Sequence, residues 1–109
     1  MRIEAQAMAY GTVVSVSGRL DAATTPEFEQ RCAQLLADGV AVVVLDFQGL
    51  QYISSAGLRA VLSLARELQQ RAGRLALCDL RGMVEEVITV TGLQEVLTIY
   101  ASLDEVEQK

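Results

Sequence analysis

The 109-residue sequence contains no histidine, and that absence excludes several kinds of site. Histidine is the commonest general base, the usual partner of a serine or cysteine nucleophile, and the commonest metal ligand among side chains. A hydrolase built on a Ser-His-Asp triad is therefore excluded. Chemistry that uses carboxylates alone stays open, but no pair of acidic residues stands out on one predicted wall of a cleft.

Cysteines, long apolar runs and clustered basic residues are also scarce. The two cysteines, Cys32 and Cys78, stand in apolar patterns with no Cys or His at metal-ligand spacing, so we expect two buried thiols. No apolar run approaches the roughly 20 residues of a membrane span, and no secretory signal is recognisable. The net charge of −5 and the scattered basic residues argue against a nucleic-acid partner. We therefore expect a soluble, cytoplasmic protein that does not insert into a membrane.

The composition is that of a globular protein, with 51% hydrophobic and 21% charged residues. A disordered chain has too few hydrophobic residues to offset the entropy lost on ordering, so folding is expected. A length of 109 residues suits one domain and is too short for two ordinary ones. The exteriors of the predicted helices are mostly polar, which favours a monomer. We therefore predict one monomeric domain over residues 1–109.

Strands and helices alternate along the chain after an initial pair of strands. Short apolar or alternating segments predict strands, and apolar stripes at helical spacing predict helices. The predicted strands are Arg2 to Met8, Thr12 to Ser17, Val40 to Leu45, Arg74 to Cys78 and Val96 to Tyr100. The predicted helices begin near Thr24, at Leu58, near Met83 and after Ser102. This order predicts an α/β fold with a mixed sheet of about five strands and about four helices.

Two local patterns make more specific predictions. The run from Val40 to Leu45 is continuous, rich in β-branched residues and too short for a helix, so it suits a central strand that is covered on both faces. Before the first helix, Thr24, Pro26 and Glu27 form the pattern of a capping box, in which the threonine hydroxyl caps the helix. The preceding residues 18–23 are predicted to form a loop.

Two adjacent serines, Ser54 and Ser55, follow the central strand and come just before the second helix. A small hydroxyl residue at this place is an ordinary N-cap, which stabilises a helix by about 1 kcal/mol. The free N–H groups and the dipole of the helix also favour a negative charge there, and Ala56 and Gly57 leave little bulk around the serines. The addition of a phosphate is therefore the functional interpretation, and it is compatible with the cap.

Two further kinds of site receive weaker support. The serine loop contains only Gly49 and Gly57, with no lysine at P-loop spacing, so a cradle for nucleotide phosphates is poorly supported. Asp21 and Asp46 are expected on neighbouring loops, which suggests a Mg²⁺ site, although carboxylates in loops are more often turn or cap residues. We predict no metal and no cofactor.

Three motifs together resemble the STAS domain of anti-anti-sigma factors: Gly18-Arg19-Leu20-Asp21, a Val-rich strand that ends in Asp46-Phe47, and Tyr52-Ile53-Ser54-Ser55-Ala56-Gly57-Leu58-Arg59. The resemblance covers nearly the whole chain. It implies a binding protein with no catalysis of its own, which sequesters an anti-sigma factor that is also an ATP-dependent serine kinase and so frees a sigma factor. It also implies that this kinase phosphorylates one serine of the loop and that a metal-dependent serine phosphatase restores it.

The resemblance also assigns the residues of the site. Aligning Gly57-Leu58 with the Gly-Leu pair of the family places the phospho-acceptor at Ser55. Ser54 stands where the best-known members carry Asp, and it is the second candidate acceptor. The implied partner surface comprises Asp21, Asp46, Ser54, Ala56, Gly57, Leu58, Arg59 and Ser63. Two other functions stay open: a STAS subunit that docks on the ATPase of a membrane lipid transporter, and a weak nucleotide-binding domain.

Overall fold

The structure is a computed structural model, and it describes residues 1–107. Its strands are β1 (Arg2–Met8), β2 (Gly11–Leu20), β3 (Val42–Asp46), β4 (Leu50–Ile53), β5 (Arg74–Cys78) and β6 (Thr98–Tyr100). Its helices are α1 (Thr25–Ala37), α2 (Ser55–Gln70), α3 (Gly82–Thr91) and α4 (Leu103–Glu107), with a short 3₁₀ turn at Leu93–Glu95. The predicted α/β fold is confirmed.

The strands form a mixed sheet. Five of them lie in the order β1-β2-β3-β5-β6, and β4 pairs with β2 beyond the end of β3. The pair β1 and β2 is antiparallel, as expected for two strands joined by a tight turn, and the other pairs are parallel. Parallel neighbours need long crossovers, which α1, α2 and α3 supply. Within residues 1–107, no helix is long and apolar enough to cross a bilayer.

Strand β3 lies in the middle of the sheet and is covered on both of its faces. Val43 and Leu45 belong to the main core, which also contains residues of α1, α2 and α3, while Val44 belongs to a smaller core beneath α4. All three side chains are at most 1% exposed, and burying each one contributes about 1.5 to 3 kcal/mol. The prediction of a central strand covered on both faces is confirmed, although β3 begins at Val42.

Two segments, one before α1 and one before α2, contain more strand than the sequence predicted. Residues 50–53, expected to be part of a loop, form β4, and its end residues Leu50 and Ile53 are buried. Residues 18–20, also expected in a loop, continue β2 past an irregularity at Gly18. Both errors have one cause, because these two segments pair with each other. A pairing between distant parts of the chain leaves little trace in the local pattern.

Two predicted element boundaries need correction, and one predicted helix cap is confirmed. Helix α2 begins at Ser55, one turn before the expected Leu58. Strand β6 begins at Thr98, two residues after the expected Val96, which is 70% exposed. Ser102 caps α4 as expected, since its hydroxyl accepts the N–H of Glu105 at 3.2 Å.

The predicted cap of α1 by the Thr24 side chain is wrong. The Thr24 hydroxyl donates to the carbonyl oxygen of Arg19 at 2.8 Å and accepts the N–H of Asp21 at 2.9 Å. It makes no capping bond to the first turn of α1. Thr24 therefore stabilises the turn between β2 and α1, because the groups that its hydroxyl contacts all belong to Arg19 and Asp21, before the helix.

Candidate functional site

Ser54 builds the junction between β4 and α2. Its backbone is extended, with φ −90° and ψ 173°, and its hydroxyl oxygen accepts the N–H of Gly57 at 3.2 Å. Its own N–H donates to the carbonyl oxygen of Leu20, at the end of β2, at 2.9 Å. The predicted N-cap is therefore confirmed at Ser54, which also fastens the start of α2 to the sheet.

Ser55 is the first residue of α2, and its side chain is exposed. Within the described part of the chain its hydroxyl has no hydrogen-bond partner, whereas that of Ser54 is engaged in the cap. A charge added to Ser55 would lie at the positive end of a 16-residue helix, where a negative group is favoured. The Ser55 hydroxyl is thus free to carry an added group, whereas the Ser54 hydroxyl already forms the cap.

Gly57 allows the first turn of α2 to approach the end of β2. It is buried, and a Cβ at this position would lie 2.9 Å from the carbonyl oxygen of Leu20 and 3.0 Å from side-chain atoms of Leu20 and Ile53. Such distances are shorter than carbon atoms tolerate, so a larger residue would displace the turn. The requirement for glycine here comes from close packing, and it fixes how Ser54 and Ser55 are presented.

A shallow hollow of about 410 Å³ lies beside this turn, between α1 and α2. Its lining includes Ala22, Pro26 and Glu29 on one side and Ala56, Arg59 and Ser63 of α2 on the other. Three residues of the predicted partner surface, Ala56, Arg59 and Ser63, therefore share one surface close to Ser55. Leu58 differs from them, because it packs against the main core.

Asp21 holds the turn that leads into α1. One of its carboxylate oxygens accepts the N–H groups of Ala23 and Thr24, both at 3.1 Å. It also lies 3.2 Å from the Thr24 hydroxyl, whose single hydrogen it shares with the nearer carbonyl oxygen of Arg19. These bonds, the Thr24 N–H first, lower the pKa of Asp21 against the opposing effect of desolvation, and the guanidinium of Arg19 adds to the lowering. Because Asp21 directly follows Leu20, which receives the N–H of Ser54, this turn adjoins the start of α2.

Asp46 does not lie near Asp21. In the sheet Asp46 pairs with Ser15, and the five residues from there to Leu20, at the end of β2 before Asp21, span about 16 Å of strand. The Asp46 carboxylate accepts the N–H of Gln48 at 3.0 Å and the hydroxyl of Ser15 at 3.4 Å. The expectation of neighbouring loops is wrong because β4 separates the end of β3 from α2. A Mg²⁺ site that uses both aspartates cannot form in this arrangement.

Asp46 instead lies close to Cys78 and Asp79, with potential ligand atoms within 4.8 Å of one another. Burial first, and then the two carboxylates, raise the pKa of the Cys78 thiol to about 12, so it is protonated at neutral pH. Asp79 accepts the N–H of Leu103 at 3.1 Å and so ties α4 to β5. Cys32 is also buried, and burial raises its pKa to about 12. The prediction of two buried thiols is confirmed.

Arg19 and Tyr52 form a contact that the sequence did not predict. They pair across β2 and β4, and the guanidinium carbon of Arg19 lies 4.1 Å from the centre of the Tyr52 ring. The Nε atom of Arg19 is also 3.7 Å from Asp21. Arginine and tyrosine often dominate the energy of protein interfaces, and this pair adjoins the junction at Ser54. The sequence did not predict β4, and without that strand the pairing of the two residues is not apparent.

Comparisons with known proteins identify the family and the fold of this chain. The STAS domain family matches residues 2–106. BtrV of Bordetella bronchiseptica, a candidate anti-sigma factor antagonist by its curated name, is 37% identical over 87 residues, which cover 80% of this chain and 75% of BtrV. The structure of an anti-sigma factor antagonist from Mycobacterium paratuberculosis matches with a TM-score of 0.88 and 27% identity, over 98% of this chain and 91% of the other. The Bacillus cell fate determinant SpoIIAA in its phosphorylated form shares the fold, with a TM-score of 0.76 and 20% identity over 98% of both chains.

Proposed function

This chain belongs to the STAS domain family, and we propose that it is an anti-sigma factor antagonist controlled by phosphorylation of Ser55. Its target would be an anti-sigma factor that is also a serine kinase, and binding that target frees a sigma factor. The names of BtrV and of the mycobacterial protein support the general function. One observation supports the switch: Ser55 presents a free, exposed hydroxyl beside a serine whose hydroxyl is used in the cap.

The proposed switch is a cycle of phosphoryl transfer and hydrolysis. The kinase transfers the γ-phosphoryl group of ATP to the Oγ of Ser55, so that a new O–P bond replaces the bond to the β-phosphate. ADP leaves, and the hydroxyl proton passes to a base on the kinase. A serine phosphatase reverses the change with water, which releases inorganic phosphate and restores the hydroxyl. Ser54 is the poorer acceptor, because its oxygen already accepts the N–H of Gly57 and modification would disturb the cap.

The proposed partner surface lies around the start of α2. It combines Ser55, Ala56, Arg59 and Ser63 of the helix with the turn that contains Asp21, and Ser54, Gly57 and Leu58 hold it in place. A phosphate on Ser55 adds about −1.5 to −2 charges at a helix N-terminus, which tolerates them. A partner that packs on the same surface would be repelled and would be desolvated unfavourably. Phosphorylation is therefore expected to release the partner without unfolding this protein.

The remaining parts of the proposal concern the chain as a whole. We take residues 1–109 to act as one monomeric STAS domain in the cytoplasm, without catalytic activity. The described residues provide no arrangement for conventional serine catalysis, since the chain contains no histidine to activate either hydroxyl. Binding, and the loss of binding on phosphorylation, would be the whole of its action.

The test combines phosphorylation with binding. The chain is incubated with an anti-sigma factor kinase and ATP, and mass spectrometry locates the phosphate. We expect Ser55→Ala to abolish the modification and the matched variant Ser54→Ala to retain it. In a titration with the kinase, Ser55→Asp should bind at least about tenfold more weakly than Ser55→Ala, which corresponds to about 1.4 kcal/mol. Modification at Ser54, or equal binding by the two Ser55 variants, would contradict the proposal.

A further inference from the structure

Arg59 lies on the same face of α2 as Ser55, four residues further along the helix. Residues at positions i and i+4 of a helix are neighbours, with Cβ atoms about 5 to 6 Å apart. Both side chains are exposed. A group attached to the Ser55 hydroxyl would therefore lie on the face that carries Arg59, about one turn before it.

The side chain of Arg59 is also directed suitably and is not committed elsewhere. Helical side chains lean toward the N-terminus of their helix, which for Arg59 is the direction of Ser55. The ion pairs among residues 1–107 are formed by Arg2 with Glu4 and by Arg19 with Asp21, so Arg59 takes part in none of them. The guanidinium of Arg59 is thus free to bind an anion added at the start of α2.

Arg19 is the other cation near this junction, but it already has partners. Its Nε atom lies 3.7 Å from Asp21, and its guanidinium stacks on Tyr52 at 4.1 Å. Binding a phosphate on Ser55 would require Arg19 to leave one or both of these contacts. Arg59 has no such contact to lose, which makes it the better candidate.

We propose that Arg59 binds the phosphate on Ser55 and holds it against the surface of α2. This inference rests on the proposed function, because it needs Ser55 to be the modified residue. A guanidinium group binds a phosphate with two parallel, charge-assisted hydrogen bonds. The order of the two groups, with the anion toward the N-terminus and the cation four residues later, is the favourable one for a pair on a helix. The free N–H groups of the first turn act on the same phosphate.

This contact changes how the modification acts on the partner surface. Phosphorylation adds negative charge at Ser55 and at the same time occupies Arg59, which is the cation that α2 contributes to that surface. A carboxylate of the partner that pairs with Arg59 in the unmodified protein would lose its counter-charge. The Ser55→Asp variant, with one charge on a shorter side chain, is then an incomplete mimic of the phosphorylated state.

The test uses the full chain with phosphoserine inserted at position 55 during translation, so that it does not depend on any kinase. A ³¹P NMR titration measures the second pKa of the phosphate in this chain and in its Arg59→Gln and Arg66→Gln variants. Arg66 is exposed on the same helix, well away from Ser55, and is the matched control for the loss of one positive charge. The other charged groups around the phosphate, Glu29 across the hollow and the Arg19 and Asp21 pair, are unchanged in both variants.

Arg59→Gln is expected to raise the second pKa of the phosphate by about half a unit, because the dianion loses its closest cation. Arg66→Gln should leave it within about 0.1 unit of the parent value, since the charge removed lies beyond the screening distance. An Arg59→Gln chain with the parent pKa, or an Arg19→Gln variant that alone shifts it, would overturn the assignment to Arg59. Failure of a kinase to modify Ser55 would instead contradict the proposed function and would leave this titration unaffected.

Discussion

Replacing Gly57 by alanine tests how closely the start of α2 packs on the end of β2. Packing and helix propensity predict opposite changes in the free energy of unfolding. Propensity alone favours alanine over glycine by about 1 kcal/mol inside a helix. The added Cβ, however, would meet the carbonyl oxygen of Leu20 at 2.9 Å and side-chain atoms of Leu20 and Ile53 at 3.0 Å. Both neighbours are at most 2% exposed, so neither moves away freely. Overpacking costs about 1 to 3 kcal/mol, and contact with a backbone atom favours the upper part of that range, which leaves a net loss of about 1 to 2 kcal/mol.

Urea unfolding followed by circular dichroism measures this loss, and a thermal scan should show a melting temperature lower by about 5 to 12 °C. Ala56→Gly, at the preceding residue of the same turn, is the matched control, since it adds no atoms and loses at most about 1 kcal/mol through propensity. A Gly57→Ala chain as stable as the parent would show that α2 does not pack closely on the end of β2. The presentation of Ser55 described above would then be wrong.

Two more variants probe the same junction and the adjoining turn. Ser54→Ala should lower the free energy of unfolding by about 1 kcal/mol, because the cap is lost. Ser55→Ala should change it by less than about 0.5 kcal/mol in the same urea experiment. Equal losses in the two variants would contradict the assignment of the cap to Ser54. Asp21→Asn should make the free energy of unfolding less dependent on pH in the acid range. The folded-state pKa of Asp21 is lowered, so its carboxylate contributes stability above its ordinary pKa of about 4 and loses it as the pH falls through the lower folded-state value. Urea unfolding between about pH 5 and pH 3 checks this, and parallel curves for the two chains would refute it.

The features that the sequence predicted have local causes. The run around Val44 is apolar at successive positions because both faces of β3 are covered, and that pattern is legible without knowing what covers them. The cap at Ser54 follows from a hydroxyl placed between a strand and an amphipathic stripe. The start of α2 and the cap beside it depend on residues a few positions apart, so the sequence predicted the start of α2 to within one turn of the helix.

The features that the sequence missed depend on pairing between distant segments. Strand β4 is short and carries two polar side chains between Leu50 and Ile53, so only its pairing with β2 identifies it as a strand. Without β4, Asp46 is placed too close to Asp21, and the contact of Arg19 with Tyr52 is invisible. The local pattern allows the Thr24 hydroxyl either to cap α1 or to bond the turn before the helix. In the structure it bonds the turn. Each of these outcomes was settled by tertiary structure and left no local signal.

The separation of roles between Ser54 and Ser55 bears on what kind of switch this surface can form. The residues that fix the junction, Ser54 and Gly57, are bonded or buried. Ser55 and Arg59 are exposed, and within the described residues their side chains form no hydrogen bond or ion pair. A phosphate on Ser55 therefore changes the charge of the surface without breaking a bond that holds the fold. A modification of Ser54 would act in the opposite way, because it would remove the cap and weaken the start of α2. The proposal that Ser55 is the modified residue rests on this difference, because only a phosphate on Ser55 leaves the Ser54 cap intact.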